Sequence, residues 1–429
     1  MEIKRDFYLQ QLIDFMNDGQ VKVITGIRRC GKSYLLNTIF KKYLLENGVA
    51  EANIFSISLD LVKDIQYRNP IYLAEIVRNK IGNSTDNFYL FVDEIQMSDV
   101  VDNPYNYKGK KITFYDTLND LNSIPNLDIY VTGSNSKMLS SDILTEFRGR
   151  SDEIKVHPLS FKEYYSCVGG DERKAFDRYC LFGGMPFILS RPNDISIRKY
   201  LESLFSEVYL KDIIERNKVE HKDVLSIIVD LLCSSIGSLT NPYKISNTLC
   251  SKGYKISSNT VANYINYLND AFLFNESKRY DIKGKSYIDS PLKYYCEDIG
   301  LRNARLGFRQ QEPTHIMENI IYNELIIRGY SVDVGIVTSK ETRSDGKRIQ
   351  VVREIDFVAN KSGEKVYIQS AYALPDEEKK KIEEKPFILT KDFFKKIIVR
   401  NDISNRWVDD NGILNINIIE FLLDKDIVN

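Results

Sequence analysis

Gly26-Ile27-Arg28-Arg29-Cys30-Gly31-Lys32-Ser33 combines residue types that together point to phosphate chemistry. Two glycines permit backbone angles that a Cβ would forbid, so the loop can curl with its amide N–H groups turned inward as a nest for phosphate oxygens. Lys32 is placed to reach β- and γ-phosphates, and the Ser33 hydroxyl to ligate Mg²⁺. The candidate nucleotide contacts are Gly26, Arg29, Cys30, Gly31, Lys32, Ser33 and Tyr34. Cys30 reads as a small side chain rather than a redox thiol. Glycines alone would make only a turn. Here a β-branched run, Val21 to Ile24, precedes them, and Leu35, Leu36, Ile39 and Phe40 follow at helical spacing. Strand, loop and helix are the context the signature needs.

A second set of chemistry-bearing residues closes the run Phe88-Tyr89-Leu90-Phe91-Val92-Asp93-Glu94. A buried parallel strand reads as continuous apolar sequence, and ligands gather at the carboxyl ends of such strands. Asp93 is then the candidate Mg²⁺ ligand beside Ser33, and Glu94 the candidate general base for an attacking water. Leu127 to Thr132 is another buried strand, followed by Gly133, Ser134 and Asn135. Ser134 and Asn135 are candidate polar sensors of a γ-phosphate, Asn135 the first choice. Arg148 and Arg150, in Phe147-Arg148-Gly149-Arg150, are candidates to stabilise transition-state charge, in cis or from a neighbouring subunit. Arg5, ahead of a first helix near Phe7 to Met16, could touch the nucleotide base, but a solvated arginine is the preferred reading.

Positioning these residues requires a parallel α/β sheet, and the chain is long enough for more. Its 429 residues bound about three domains at ~150 residues each. Composition is that of a soluble globular protein, 43% hydrophobic and 28% charged, with a formal net charge of −1. Nothing global favours a polyanion partner, so any nucleic-acid surface must be local. No apolar run is long enough to span a membrane, and the start lacks a secretory apolar core. Six scattered cysteines without a CxxC pair fit reduced thiols, and cytoplasmic localisation is the expectation.

The order of motifs resembles the prokaryotic AAA-like ATPases (AAA_14 type) that carry a C-terminal DUF4143-type domain. The residues concerned are Gly26 to Ser33, Val92-Asp93-Glu94-Ile95-Gln96, Val131 to Ser136, Phe147 to Arg150, and His157-Pro158-Leu159-Ser160-Phe161-Lys162-Glu163-Tyr164. Cys180-Leu181-Phe182-Gly183-Gly184-Met185-Pro186 resembles that family's Gly-Gly-Met-Pro turn. The resemblance implies ATP and Mg²⁺ as ligands.

The expected architecture is an α/β P-loop NTPase core at 1–157, a helical lid or linker at 158–220, a winged helix-turn-helix at 221–290 and a nuclease-like α/β domain at 291–429. The winged helix is read from helices at Asp223 to Ser235, Asn241 to Ser251 and Ser258 to Phe272, with Ser258 as cap, and from a hairpin around Lys283-Gly284-Lys285. Asn259, Asn263, Asn266 and Tyr267 could read bases, and Lys278, Arg279, Lys283 and Lys285 could meet phosphates. The region Phe274 to Gln311 carries eight basic against five acidic residues, a small excess that leaves DNA and protein both open as partners.

In the C-terminal part, Glu318 and Asp356 could be two carboxylates of a restriction-endonuclease-like core, which the resemblance implies at this place. Gln369 stands where a third carboxylate is expected, and Ala371 where a lysine is expected. A neutral amide holds a divalent cation more weakly, and alanine cannot supply the charge expected beside the attacked phosphate, so the domain reads as an inactive relative of nucleases. The primary expectation is a slow Mg-dependent ATPase coupled to a recognition module for DNA or protein, with a homo-oligomer open. The alternatives are a nucleotide-gated regulatory protein with little turnover and an ATP-regulated DNA nuclease.

Overall fold

The computed structural model describes residues 3–104, 109–133, 147, 149–342 and 348–428. Two compact units emerge, one of Met1–Pro158 with Asp270–Phe272, the other of Leu159–Asn269 with Leu273–Asn429.

Besides a short antiparallel pair, Val101–Asp102 with Lys111–Ile112, the described residues of the first unit form a main sheet from β1 Val21–Thr25, β2 Ile54–Ser58, β3 Phe88–Asp93, β4 Leu127–Thr132 and β5 Ser151–Lys155. Its order is β2-β3-β4-β1-β5, parallel throughout. Every residue of β1, β3 and β4 is buried, which is why β3 reads as an apolar run up to Asp93, while β1 and β4 are largely apolar apart from Lys22, Asp128 and a closing threonine each. The helix α1 Asp6–Asp14 precedes β1. After β1 a helix begins as Lys32–Tyr34, continues through a π-helical stretch Leu35–Phe40 and ends as Lys41–Glu46; we call it α2. α3 Pro70–Ile81 is capped by Asn69, which accepts from the Ile71 and Tyr72 N–H groups at 3.0 and 3.2 Å. α4 Phe114–Leu121 opens with a reciprocal capping box between Thr113 and Asp116. Leu73, Val77, Phe114 and Leu118 pack with Val21, Val23, Leu90 and Val131 in the core.

One charge in this core was not expected. Lys22, in the middle of β1, has no solvent exposure. Its ammonium meets Asp18 and Asp128, each at 2.6 Å, and donates to the Gln20 carbonyl at 3.0 Å. Arg5 is likewise not solvated: it is 3% exposed and donates to the His157 carbonyl at 2.6 Å. It ties the segment before α1 to the chain beyond β5.

The second unit opens with α5 Phe161–Val168 and α6 Glu172–Phe182. The block Pro158 to Tyr164 is a capping box in physical terms. Ser160 Oγ accepts from the Glu163 N–H at 3.2 Å, and Glu163 Oε2 from the Ser160 N–H at 2.9 Å. α7 runs as Asp194–Ser203, a π-helical stretch Leu204–Leu210, and Lys211–Arg216. Then come α8 Lys222–Ser234, α9 Pro242–Ser251 and α10 Ser258–Asp270. The cap of α10 is Ser257, whose Oγ accepts from the Thr260 N–H at 3.1 Å; Ser258 is already helical.

The hairpin β6 Phe274–Asp281 and β7 Ser286–Cys296 follows, then α11 Ile299–Arg305, α12 Pro313–Ile327, β8 Ser331–Thr342, β9 Arg348–Lys361 and β10 Glu364–Ala371. The chain ends in α13 Glu377–Thr390, β11 Lys395–Arg400, β12 Trp407–Val408, β13 Leu414–Asn417 and α14 Ile418–Leu423. These strands make one eight-stranded sheet, β12-β13-β11-β10-β9-β8-β6-β7. The hairpin read as a wing is therefore the edge of the C-terminal sheet, with β6 parallel to β8. A boundary at 290/291 would fall inside β7. The sequence concealed this because the β6–β8 pairing joins segments far apart in the chain.

Helices 161–216, read as a lid or linker, belong to this second unit. Asp298 anchors them. It caps α11 at the Leu301 N–H (3.0 Å) and accepts the Gly184 N–H at 2.7 Å. A Cβ on Gly184 would lie 2.1 Å from the Leu159 carbonyl oxygen, so the bend leaves no room for a side chain there. Burial pushes the Asp298 carboxyl from the ordinary 3.8 up to about 6, against backbone N–H bonds that pull it down. The fold therefore favours the protonated form. That contribution to stability is full below the ordinary value and is lost as pH rises through about 6. In urea titrations, wild type is expected to lose stability between pH 4 and 6 relative to Asp298→Asn. A parallel pH profile for the two proteins would show that folding leaves the Asp298 carboxyl unshifted.

Candidate nucleotide site

The loop after β1 is shaped by backbone geometry that its residues were chosen to permit. Gly26 has φ +134°, and a Cβ there would lie 2.0 Å from the Val156 carbonyl oxygen. Arg29 at φ +65° and Gly31 at φ +105° complete the curl. The Cys30 side chain is buried and donates to the Val156 carbonyl at 3.2 Å, while its N–H donates to the Ile27 carbonyl at 3.3 Å. Arg29 is exposed. The Tyr34 hydroxyl accepts from the Ile3 N–H at 3.3 Å.

Lys32 is 4% exposed, and its ammonium donates to the carbonyls of Gly26 and Ile27 at 3.0 and 3.1 Å. The charge is held inside the loop's own curve. Ser33 stands exposed on the first turn of α2.

Asp93 ends β3 and is 7% exposed. The register aligns Val23 with Val131 and Val131 with Val92, so the carboxyl ends of β1, β4 and β3 lie at one sheet edge. The loop and Asp93 share that edge. Thr132, closing β4, links the two acids of the pair. Its hydroxyl donates to Asp93 Oδ1 and accepts the Glu94 N–H at 3.1 Å. Glu94 turns sharply out of the strand at φ +56°, and the Gln96 amide donates to its carboxylate. Sequence reading missed Thr132 and Gln96. The available signal was a hydroxyl closing an apolar strand next to the one that ends in Asp93.

Arg150 is exposed and precedes β5, whose first residue pairs with Val21. It therefore lies at the amino-terminal edge of the sheet, opposite the loop. A role in cis at the phosphates of the same chain is excluded by that placement. Ser134, Asn135 and Arg148 lie outside the described residues.

In the second unit, Asn259, Asn263 and Asn266 are exposed on α10, while Tyr267 is half-buried. Lys278, Lys283 and Lys285 are exposed and Arg279 is half-buried; Lys283 donates to the Thr338 carbonyl at 3.1 Å. Between α10 and the hairpin lies a cavity of about 230 Å³ whose lining includes Asn266, Glu276 and Asp289. Glu318 and Asp356 do converge, and the Asp356 N–H donates to Gln369 Oε1 at 3.3 Å. Ala371 is buried. Among the described residues no helix is long and apolar enough to cross a membrane.

A parallel sheet of this order, with a glycine loop and an Asp-Glu pair at one edge, defines an AAA-type P-loop fold. The model of the AAA domain (AAA_14) matches residues 18–165. Residues 173–312 match a domain of unknown function (DUF8612), not the DUF4143 type that the sequence resemblance implied. An uncharacterized protein of Haemophilus influenzae is 34% identical over 426 residues, 98% of each chain. The chain belongs to one family with that protein. An uncharacterized protein of Methanocaldococcus jannaschii is 28% identical over 328 residues, 73% of this chain and 68% of its own. Among solved structures, a Walker-type ATPase of Pyrococcus abyssi is similar at 16% identity and a TM-score of 0.48, covering 71% of this chain and 96% of its own.

Proposed function

We propose that the first unit binds Mg-ATP and hydrolyses it slowly, and that this cycle is coupled to a recognition module in the second unit. The observation that carries the reading is one sheet edge holding both the Lys32 loop and the Thr132-linked Asp93 and Glu94. The residues fit the ligand: Gly26 lets the loop close against the Val156 carbonyl, where a Cβ would clash, and a hydroxyl and a carboxylate supply hard oxygen donors. Bound there, Mg²⁺ would neutralise charge on the phosphates, with Ser33 and Asp93 to hold it. Lys32 would exchange its bonds to Gly26 and Ile27 carbonyls for phosphate oxygens. Glu94 would accept the proton of the attacking water, and Thr132 would keep its backbone and the Asp93 carboxylate in register. Asn135 remains the proposed γ-phosphate sensor, and Arg148 and Arg150 the proposed charge stabilisers. For Arg150 this requires a neighbouring subunit in an oligomer.

The Gln96 amide on the Glu94 carboxylate supports a second reading, a nucleotide-gated protein with little turnover. Phosphate release from ATP decides between them. Release that requires Mg²⁺ supports the enzyme; nucleotide binding without release supports the gate.

For the recognition module, helices α8 to α10 and the β6–β7 hairpin support a winged-helix reading, helped by a bridge in which Thr240 and Leu292 exchange N–H bonds at 2.9 Å. Glu276 and Asp289 in the groove beside Asn266 would repel phosphates, which favours a protein over DNA there.

A further inference from the structure

The C-terminal carboxylates have a cation of their own. Lys293, on β7, is 3% exposed, and its ammonium lies 2.7 Å from Glu354, 2.9 Å from Glu318 and 3.5 Å from Asp356. These acids come from α12 and β9, so three separate elements converge on one nitrogen. Two of these acids take a further donor, and a neighbouring bond braces Gln369. Tyr295 donates to Glu318 at 2.8 Å, the Ser370 N–H to Asp356 Oδ2 at 2.9 Å, and Gln369 to Glu383 of α13 at 2.9 Å. Gly237 closes the cluster from the end of α8: a Cβ there would lie 2.9 Å from Glu318 Oε1.

We propose that the Lys293 ammonium is the resident cation of this site, filling the place that a divalent metal takes in carboxylate-based hydrolases, so that the C-terminal domain is closed by its own side chain and works without metal. A divalent ion needs several carboxylate oxygens free to coordinate it. Here Glu318 Oε1, Glu354 Oε1 and Asp356 Oδ1 already face the ammonium, Tyr295 adds its hydroxyl to Glu318 Oε1, and Asp356 Oδ2 faces the Ser370 N–H. Among the described residues, no group of His, Cys, Asp or Glu is arranged to hold a metal ion. The missing lysine at Ala371 is therefore not simply lost. A lysine enters from the edge hairpin instead, on the side away from β10, and neutralises the acids it reaches. This inference is independent of the ATPase reading, because none of its residues belongs to the first unit.

The test is Mn²⁺ binding by the full chain without nucleotide, followed by electron paramagnetic resonance. Wild type is expected to show no uptake that depends on Asp356. Lys293→Met should gain a site, Lys293→Arg should not, and Lys293→Met with Asp356→Asn should lose it again. Uptake by wild type that Asp356→Asn abolishes would overturn the proposal, as would a folded Lys293→Met chain that takes up none. If Lys293→Met fails to fold, the wild-type, Lys293→Arg and Asp356→Asn proteins still decide it: Asp356-dependent uptake by wild type or Lys293→Arg overturns it, and none in either supports it.

Discussion

Replacing Glu94 with glutamine is expected to lower phosphate release from Mg-ATP by roughly 10²–10⁴-fold, the usual contribution of a general base, while ATP affinity stays at the wild-type level. The split follows from geometry. Glu94 leaves β3 in a left-handed turn, and its N–H is fixed by Thr132. The ammonium of Lys32 is held in the loop by the Gly26 and Ile27 carbonyls. Losing the charge therefore removes proton acceptance and leaves phosphate binding intact. Phosphate release under saturating ATP, alongside an equilibrium ATP titration, measures both. An equal loss in both quantities would mean that Glu94 serves binding and that the base lies elsewhere.

The largest effect on stability is expected from Lys293→Met. Removing one member of a buried ion cluster typically costs about 3–5 kcal/mol, because the partners are left charged and dry. Three carboxylates depend on Lys293, and its side chain is 4% exposed. Unfolding in urea, followed by a probe in the second unit, should show this loss. Lys293→Arg should retain most of the stability, since a guanidinium keeps the charge. A loss within the range of a surface ion pair, below about 1 kcal/mol, would show that the carboxylates are solvated or protonated and that Lys293 is dispensable.

The first unit was more legible in the sequence than the second. Each buried parallel strand announces itself as a largely apolar run, and a phosphate loop is a local motif whose glycines are dictated by backbone angles. What stayed hidden depends on contacts between distant segments. Lys22 in β1 looks like a polar residue on an exposed face until Asp18 and Asp128 are brought to it. Thr132 looks like any strand end until β4 lies beside β3. Arg150 sits only a few residues from the core strands, yet parallel pairing with Val21 puts it at the far edge. The edge hairpin shows the same limit. Its alternation and turn were readable, but its membership of the eight-stranded sheet rests on pairing between Arg279 and Val334. Lys293 falls in that gap too: the motif position on β10 was read as empty of charge, and the charge arrives from β7.

The coupling proposed between the two units rests on nucleotide binding by the first. The most direct measurement is an equilibrium titration of a fluorescent ATP analogue into wild-type, Lys32→Ala and Asp93→Asn proteins, with and without Mg²⁺. The expected result is saturable binding to wild type that Mg²⁺ strengthens, loss of the Mg²⁺ effect in Asp93→Asn, and no binding in Lys32→Ala. A wild-type chain that takes up no nucleotide, or a Lys32→Ala chain that binds as tightly, would contradict it.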